Sequence, residues 1–146
     1  MATVYGAEYT KYNTGGLAKL VTKTWGNDVK FVSDTFTSPT GDLAHSSTIK
    51  MGRLPKGARV LAFHFTCGGE GGTAATGGVK VGDTAATAVN ALTTMAAASS
   101  LWLGAANALA RTPLAADSDV EILLQDTNAL DATTTLSLTT LYIMDN

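Results

Sequence analysis

The sequence predicts an all-β domain, an antiparallel jelly-roll-like β-sandwich preceded by an extended N-terminal arm. Three observations lead there. Arg59 to Cys67 alternates as a strand does, because successive strand side chains point to opposite faces. Turn signals recur every 8–15 residues along most of the chain, the spacing of a sandwich or barrel. Thr, Ala and Gly dominate a composition with only 15% charged residues, which suits short strands joined by small-residue loops. The 146 residues fit one such domain, with enough buried surface for a core without disulfides.

Taken in order, residues 1–26 interleave Tyr5, Tyr9 and Tyr12 with Gly6, Asn13, Gly15 and Gly16. They read as an arm with aromatic contact points, ordered either on its own domain or on another surface. Residues 27–146 form the sandwich. Val29 to Phe36 is the first strand, and its hydrophobic parity changes between Phe31 and Val32, as at a bulge or in a strand covered on both faces. Ser38-Pro39-Thr40-Gly41-Asp42 is a turn.

Two strands follow, joined by a Leu54-Pro55-Lys56-Gly57 turn, where Pro fixes φ and Gly relaxes it. In the first, Ile49 and Met51 alternate with Lys50 and Gly52. In the second, Leu61, Phe63, Phe65 and Cys67 fall on the expected core face and His64 on the opposite one. Gly68 to Gly78 is a loop, and Val79 and Val81 mark a short strand closed by Gly82-Asp83. Ala85 to Ala98 is ambiguous between helix spacing and Thr-rich strand, with a strand expected near Ala88. Another strand surrounds Trp102, and Thr112-Pro113 marks a break. Asp119 to Gln125 is a strand with Ile122 and Leu124 on one face. Asp126 to Asp131 turns, and Thr134 to Met144 is the last strand, with a bulge expected near Thr139-Thr140, where parity changes from Leu136 and Leu138 to Leu141 and Ile143.

Charge narrows the function classes. The net charge is −2, which argues against a dedicated nucleic-acid binder. Residues 1–60 carry a net +4 and the remainder −6, an asymmetry able to orient subunits head to tail. The uncharged run from Thr84 to Ala110 is long enough to span a bilayer. Its apolar residues are mostly Ala, broken by four Thr, two Asn and two Ser, so no membrane span is expected. The N-terminus lacks a basic segment followed by an apolar one and is not read as a signal peptide.

No constellation for catalysis stands out, and the chain is read as not an enzyme. Gly69-Glu70-Gly71-Gly72-Thr73-Ala74 matches G-x-G-x-x-A. A dinucleotide site needs a helix to start there, and Gly77-Gly78 interrupts one. Asp117, Asp119 and Glu121 alternate as calcium-loop ligands do, yet Ile122 stands where the loop needs Gly. His45 and His64, the two histidines, lack neighbours at ligand spacing. Neither a metal nor another cofactor is expected. The single cysteine, Cys67, reads as a small buried residue. Trp25 and Trp102 offer aromatic faces for sugars or for protein contacts.

Several segments resemble one family. "STIKMGRLPKGARVL" (Ser47 to Leu61), "GGVKVGDTAAT", "DSDVEILLQD" and the terminal "LYIMD" are similar in kind and order to segments of tailed-bacteriophage capsid decoration proteins, also called cement or head-stabilising proteins. The resemblance runs loosely from about Val29 to the end, and the arm departs from it most. It implies a compact β-sandwich that binds the outside of an assembled shell of major capsid protein, as a homotrimer. No catalytic residue carries over, and no contact residue transfers. On this reading Tyr5, Tyr9 and Tyr12 in the arm, and Lys50, Arg53, Lys56 and Arg59 around the Pro55-Gly57 turn, are the expected capsid or subunit contacts. A head-fibre or host-adhesion carbohydrate-binding module is the alternative, with Trp25 or Trp102 as its anchor.

Overall fold

The computed structural model describes residues 3–6, 29–39, 44, 46–68, 76–86, 92, 99–125 and 130–144. Among these described residues nine strands and one short helix follow in chain order: β1 (Thr3–Tyr5), β2 (Lys30–Thr37), β3 (Thr48–Leu54), β4 (Ala58–Gly68), β5 (Gly77–Val81), β6 (Thr84–Ala85), β7 (Ser99–Gly104), α1 (Asn107–Arg111), β8 (Ser118–Leu124) and β9 (Thr135–Met144). They form a five-stranded sheet in the order β1-β3-β8-β5-β6 and a four-stranded sheet in the order β2-β9-β4-β7. From β2 onward every pairing is antiparallel, and four of them nest: β5 with β6, β4 with β7, β3 with β8, β2 with β9. A long hairpin rolled across itself gives this order, and that is the jelly roll expected from the sequence. The expected strand near Ala88, Tyr9, Tyr12, Trp25, His45 and the loop Gly69 to Ala74 lie outside the described residues.

The core lies between the two sheets; most strands give it one parity, and β3 and β4 change parity where their registers shift, between Lys50 and Gly52 and between Val60 and Ala62. Ile49, Met51, Leu54, Val79, Val81, Val120, Ile122 and Leu124 face in from the five-stranded sheet; Phe36, Val60, Phe63, Phe65, Cys67, Leu136 and Leu138 face them from the other. Gly57 turns the chain from β3 into β4 with φ +86, a left-handed conformation that Gly adopts without Cβ strain. This turn joins strands of opposite sheets. The Lys56 N–H donates to Asp117 Oδ1 at 2.8 Å, and the Gly57 N–H to the Leu114 carbonyl at 2.9 Å.

Three sequence expectations are corrected. On β4 the core face is Ala58 and Val60, then Phe63, Phe65 and Cys67, while Leu61 is 37% exposed. The β4–β9 register shifts between Val60 and Ala62, so Leu61 is the extra residue of a bulge and turns outward. The bulge expected near Thr139-Thr140 does not occur. The register of β9 with β2 runs unbroken from Lys30↔Tyr142 to Thr37↔Thr135, and Thr140 simply occupies an inward position, 1% exposed. The first strand is not bulged either. Its inward residue between Val32 and Phe36 is Asp34, 2% exposed, a carboxylate where hydrophobic parity looks for an apolar side chain.

A short helix was not anticipated at Asn107–Arg111. It ends at Thr112, which is extended, as the residue before a proline should be.

Candidate functional site

The outer surfaces of the two sheets differ in chemistry, and each follows from strand parity. On the five-stranded sheet, β8 lies between β3 and β5. Register places Glu121 between Lys50 and Lys80, and Asp119 opposite Arg53. The Lys50 ammonium reaches Asp119 Oδ2 at 2.6 Å and Glu121 Oε1 at 3.9 Å. Arg53 Nε is 3.9 Å from Asp119 Oδ1. Lys80 lies 3.9 Å from Glu121 and 3.8 Å from Asp83. The acidic alternation of Asp119 and Glu121 therefore neutralises basic neighbours on its own sheet, and no metal-holding group of three ligands occurs among the described residues.

The basic residues expected around the turn do not share one surface. Lys50 and Arg53 belong to the ion-paired face just described. Lys56 is exposed at the turn itself. Arg59 lies on β4, between the inward Ala58 and Val60 and opposite Ile143, and so on the outer side of the other sheet. Tyr5 belongs to β1, which runs parallel to β3 with Tyr5 as the register partner of Lys50. The Gly6 N–H donates to the Lys50 carbonyl, so the first described residues of the arm lie on their own domain.

The outer face of the four-stranded sheet is neutral apart from Arg59 among the described strand residues. Its strands align Ser33, Thr139, His64 and Trp102 in one cross-strand row. Hydroxyls pair across β2 and β9: Ser33 with Thr139 at 2.8 Å, Thr35 with Ser137 at 3.0 Å, Thr37 with Thr135 at 3.3 Å. The His64 and Trp102 rings stack with centroids 4.5 Å apart and planes at 28°, and His64 Nε2 shares a 2.8 Å hydrogen bond with Ser100 Oγ. All four exposed large apolar side chains among the described residues belong to this sheet or its margin: Val29 (56%), Phe31 (65%), Leu61 (37%) and Trp102 (63%). Parity in the sequence places His64 on this face. Phe31 is legible as exposed only once Asp34 is known to point inward.

Cys67 is buried as expected, and burial raises its thiol pKa above the usual value. A raised pKa holds the thiol protonated and poorly nucleophilic. No helix among the described residues is long and apolar enough to cross a membrane.

No protein-family model matches the chain, and the curated proteins hold no significant match. Solved structures do match in fold. A chain of the capsid of Ralstonia phage GP4 superposes with a TM-score of 0.63 at 17% identity, covering 84% of this chain and 88% of that one. A chain of the cyanophage Pam1 capsid asymmetric unit gives 0.57 at 22%, covering 84% and 89%. A chain of the acid-stable capsid of Helicobacter pylori bacteriophage KHP30 gives 0.51 at 20%, covering 81% and 89%. Each likeness takes in most of both chains and is one of fold.

Proposed function

We propose that this chain is a structural virion protein of a tailed bacteriophage, a decoration protein that binds the outer surface of the assembled capsid. The observation that carries the reading is the jelly roll shared with chains from three phage capsids over more than four-fifths of each partner. The segmental resemblance to decoration proteins adds to it. The role is structural rather than catalytic, with assembly in the host cytoplasm and the major capsid protein as partner.

The mechanism is one of linkage. A ligand that binds the closed shell and not its separated parts shifts the equilibrium toward the shell, by about 2.7 kcal/mol per site at one hundred times its dissociation constant. A homotrimer engages several capsomers together, so that weak contacts multiply through effective concentration. The sandwich, residues 27–146, supplies the body of the trimer. The arm, residues 1–26 with Tyr5, Tyr9 and Tyr12, together with Lys50, Arg53, Lys56 and Arg59, supplies contacts to the capsid or to a neighbouring subunit. Lys56, exposed at the turn, is the first of these to test.

The test adds purified protein to undecorated mature capsids. Saturable binding that raises the capsid's resistance to heat or chelation is expected. A protein that leaves capsid sedimentation and melting unchanged overturns the reading. Removing residues 1–26 should abolish capsid binding or trimerisation, and a truncated protein that does both removes the role given to the arm. A head-fibre or host-adhesion module that binds carbohydrate is the second reading, favoured by the exposed Trp102 ring braced by His64; silence on a glycan array eliminates it.

A further inference from the structure

We propose that copies of this chain close into a ring by seating Phe31, at the β2 edge of the four-stranded sheet, against Trp102, at the β7 edge of the next copy. This deepens the trimer of the proposed function and rests on it, but it does not require the capsid.

A cyclic assembly needs two unlike patches on each subunit, one for each neighbour. The four-stranded sheet carries such a pair. Phe31 is 65% exposed on β2 and Trp102 is 63% exposed on β7, and β2 and β7 are the two edges of the sheet. Both side chains stand on its outer face, three strand spacings apart, or about 14 Å. Sheets that turn this face toward a common axis meet along these edges. Each corner then brings the Phe31 margin of one copy to the Trp102 margin of the next.

The chemistry between the two patches fits burial around that axis. The rows joining them hold hydroxyls, His64, Leu141 and small side chains. Arg59 is the one charge on the face among the described strand residues, and it lies in β4 close to the Pro55-Gly57 turn. Closing the ring therefore strips water from little charge. The opposite sheet, with its ion pairs among Lys50, Arg53, Lys80, Asp119 and Glu121, keeps its charges in solvent. Exposed aromatic rings are the side chains that most often anchor an interface. The Trp102 ring is already held by the His64 stack and the His64–Ser100 hydrogen bond, so less freedom is lost when it docks.

The experiment measures the mass of the full chain in solution by light scattering after size exclusion. The wild type is expected to run as three chains. Phe31→Asp and Trp102→Asp should each weaken self-association at least about ten-fold, with far-UV circular dichroism unchanged because both side chains are exposed. Phe31→Ser and Trp102→Ser remove the rings without adding charge and should act in the same direction. An equal mixture of Phe31→Asp and Trp102→Asp should form a one-to-one heterodimer, because each supplies the patch that the other lacks. A monomeric wild type, aspartate variants that still assemble, or a mixture without heterodimer overturns the proposal. Capsid binding is scored separately. A wild-type trimer that ignores capsids keeps the ring and removes the decoration role, while a wild-type monomer that decorates capsids does the reverse.

Discussion

The Lys50 ammonium lies 2.6 Å from a carboxylate oxygen of Asp119, diagonally across the β3–β8 pair, while Glu121 stands directly opposite it. The lysine is thus paired within its own sheet. Lys50→Glu places three carboxylates on adjacent strand positions and should cost about 1–2 kcal/mol. Lys56→Glu, on the exposed turn, should stay within about 0.5 kcal/mol. Urea denaturation distinguishes the two; equal losses would contradict the ion-pair assignment.

The bulge at Leu61 sets a second contrast. Leu61 and Phe63 sit two residues apart and look equivalent by strand parity, yet one is exposed and the other fully buried. Leu61→Ser should change stability by less than about 0.5 kcal/mol, whereas Phe63→Ala should cost about 3–5 kcal/mol through lost burial and a cavity. Thermal or chemical unfolding checks both.

Thr133 precedes β9 with φ +64, a left-handed conformation that its branched Cβ disfavours. Asn tolerates this region better. Thr133→Asn should raise stability by about 0.5–1 kcal/mol, read as a higher denaturation midpoint with an unchanged slope.

Alkaline pH should destabilise the protein in order of its buried acids. Burial raises the pKa of Cys67 above 9.0 and that of Tyr142 above 10.0. In each case the unfolded chain loses its proton first. The stability is complete below the unfolded value and falls as pH climbs through the folded one. A loss that begins near pH 9 should therefore diminish in Cys67→Ala. At pH 8 the native thiol should resist a disulfide reagent that labels the denatured chain at once.

Much of the sandwich is legible in the sequence because most strands keep one apolar parity. Ile122 and Leu124 on β8, and Leu136 and Leu138 on β9, each share one face by parity and are buried together in the structure. Parity misleads where a polar residue faces inward or a bulge shifts the phase. Asp34 is such a residue. It accepts a 2.7 Å hydrogen bond from the Thr35 N–H and lies so close to Gly6 that a Cβ there would collide with its carboxylate. Neither fact has a local signal. The basic cluster around the turn is legible as a run of charges but not as a surface. The chain crosses between sheets at Gly57, which leaves Lys50 and Arg59 on opposite sides of the molecule. The acidic partners of Lys50 lie some seventy positions away along the chain.

The nested pairing of strands has a consequence for biosynthesis. β9, Thr135–Met144, is an interior strand of its sheet, hydrogen-bonded on one side to β2 and on the other to β4. Until those residues leave the ribosomal tunnel, β2 has no partner within its sheet. The inner faces of Phe63 and Phe65 likewise wait for the layer opposite. The nascent chain can close the β5–β6 hairpin early, but the completed sandwich must await β9, since contacts so distant in sequence close late. A product truncated before β9 would consequently present bare strand edges to its neighbours, the kind of surface that a protease or holding chaperone engages.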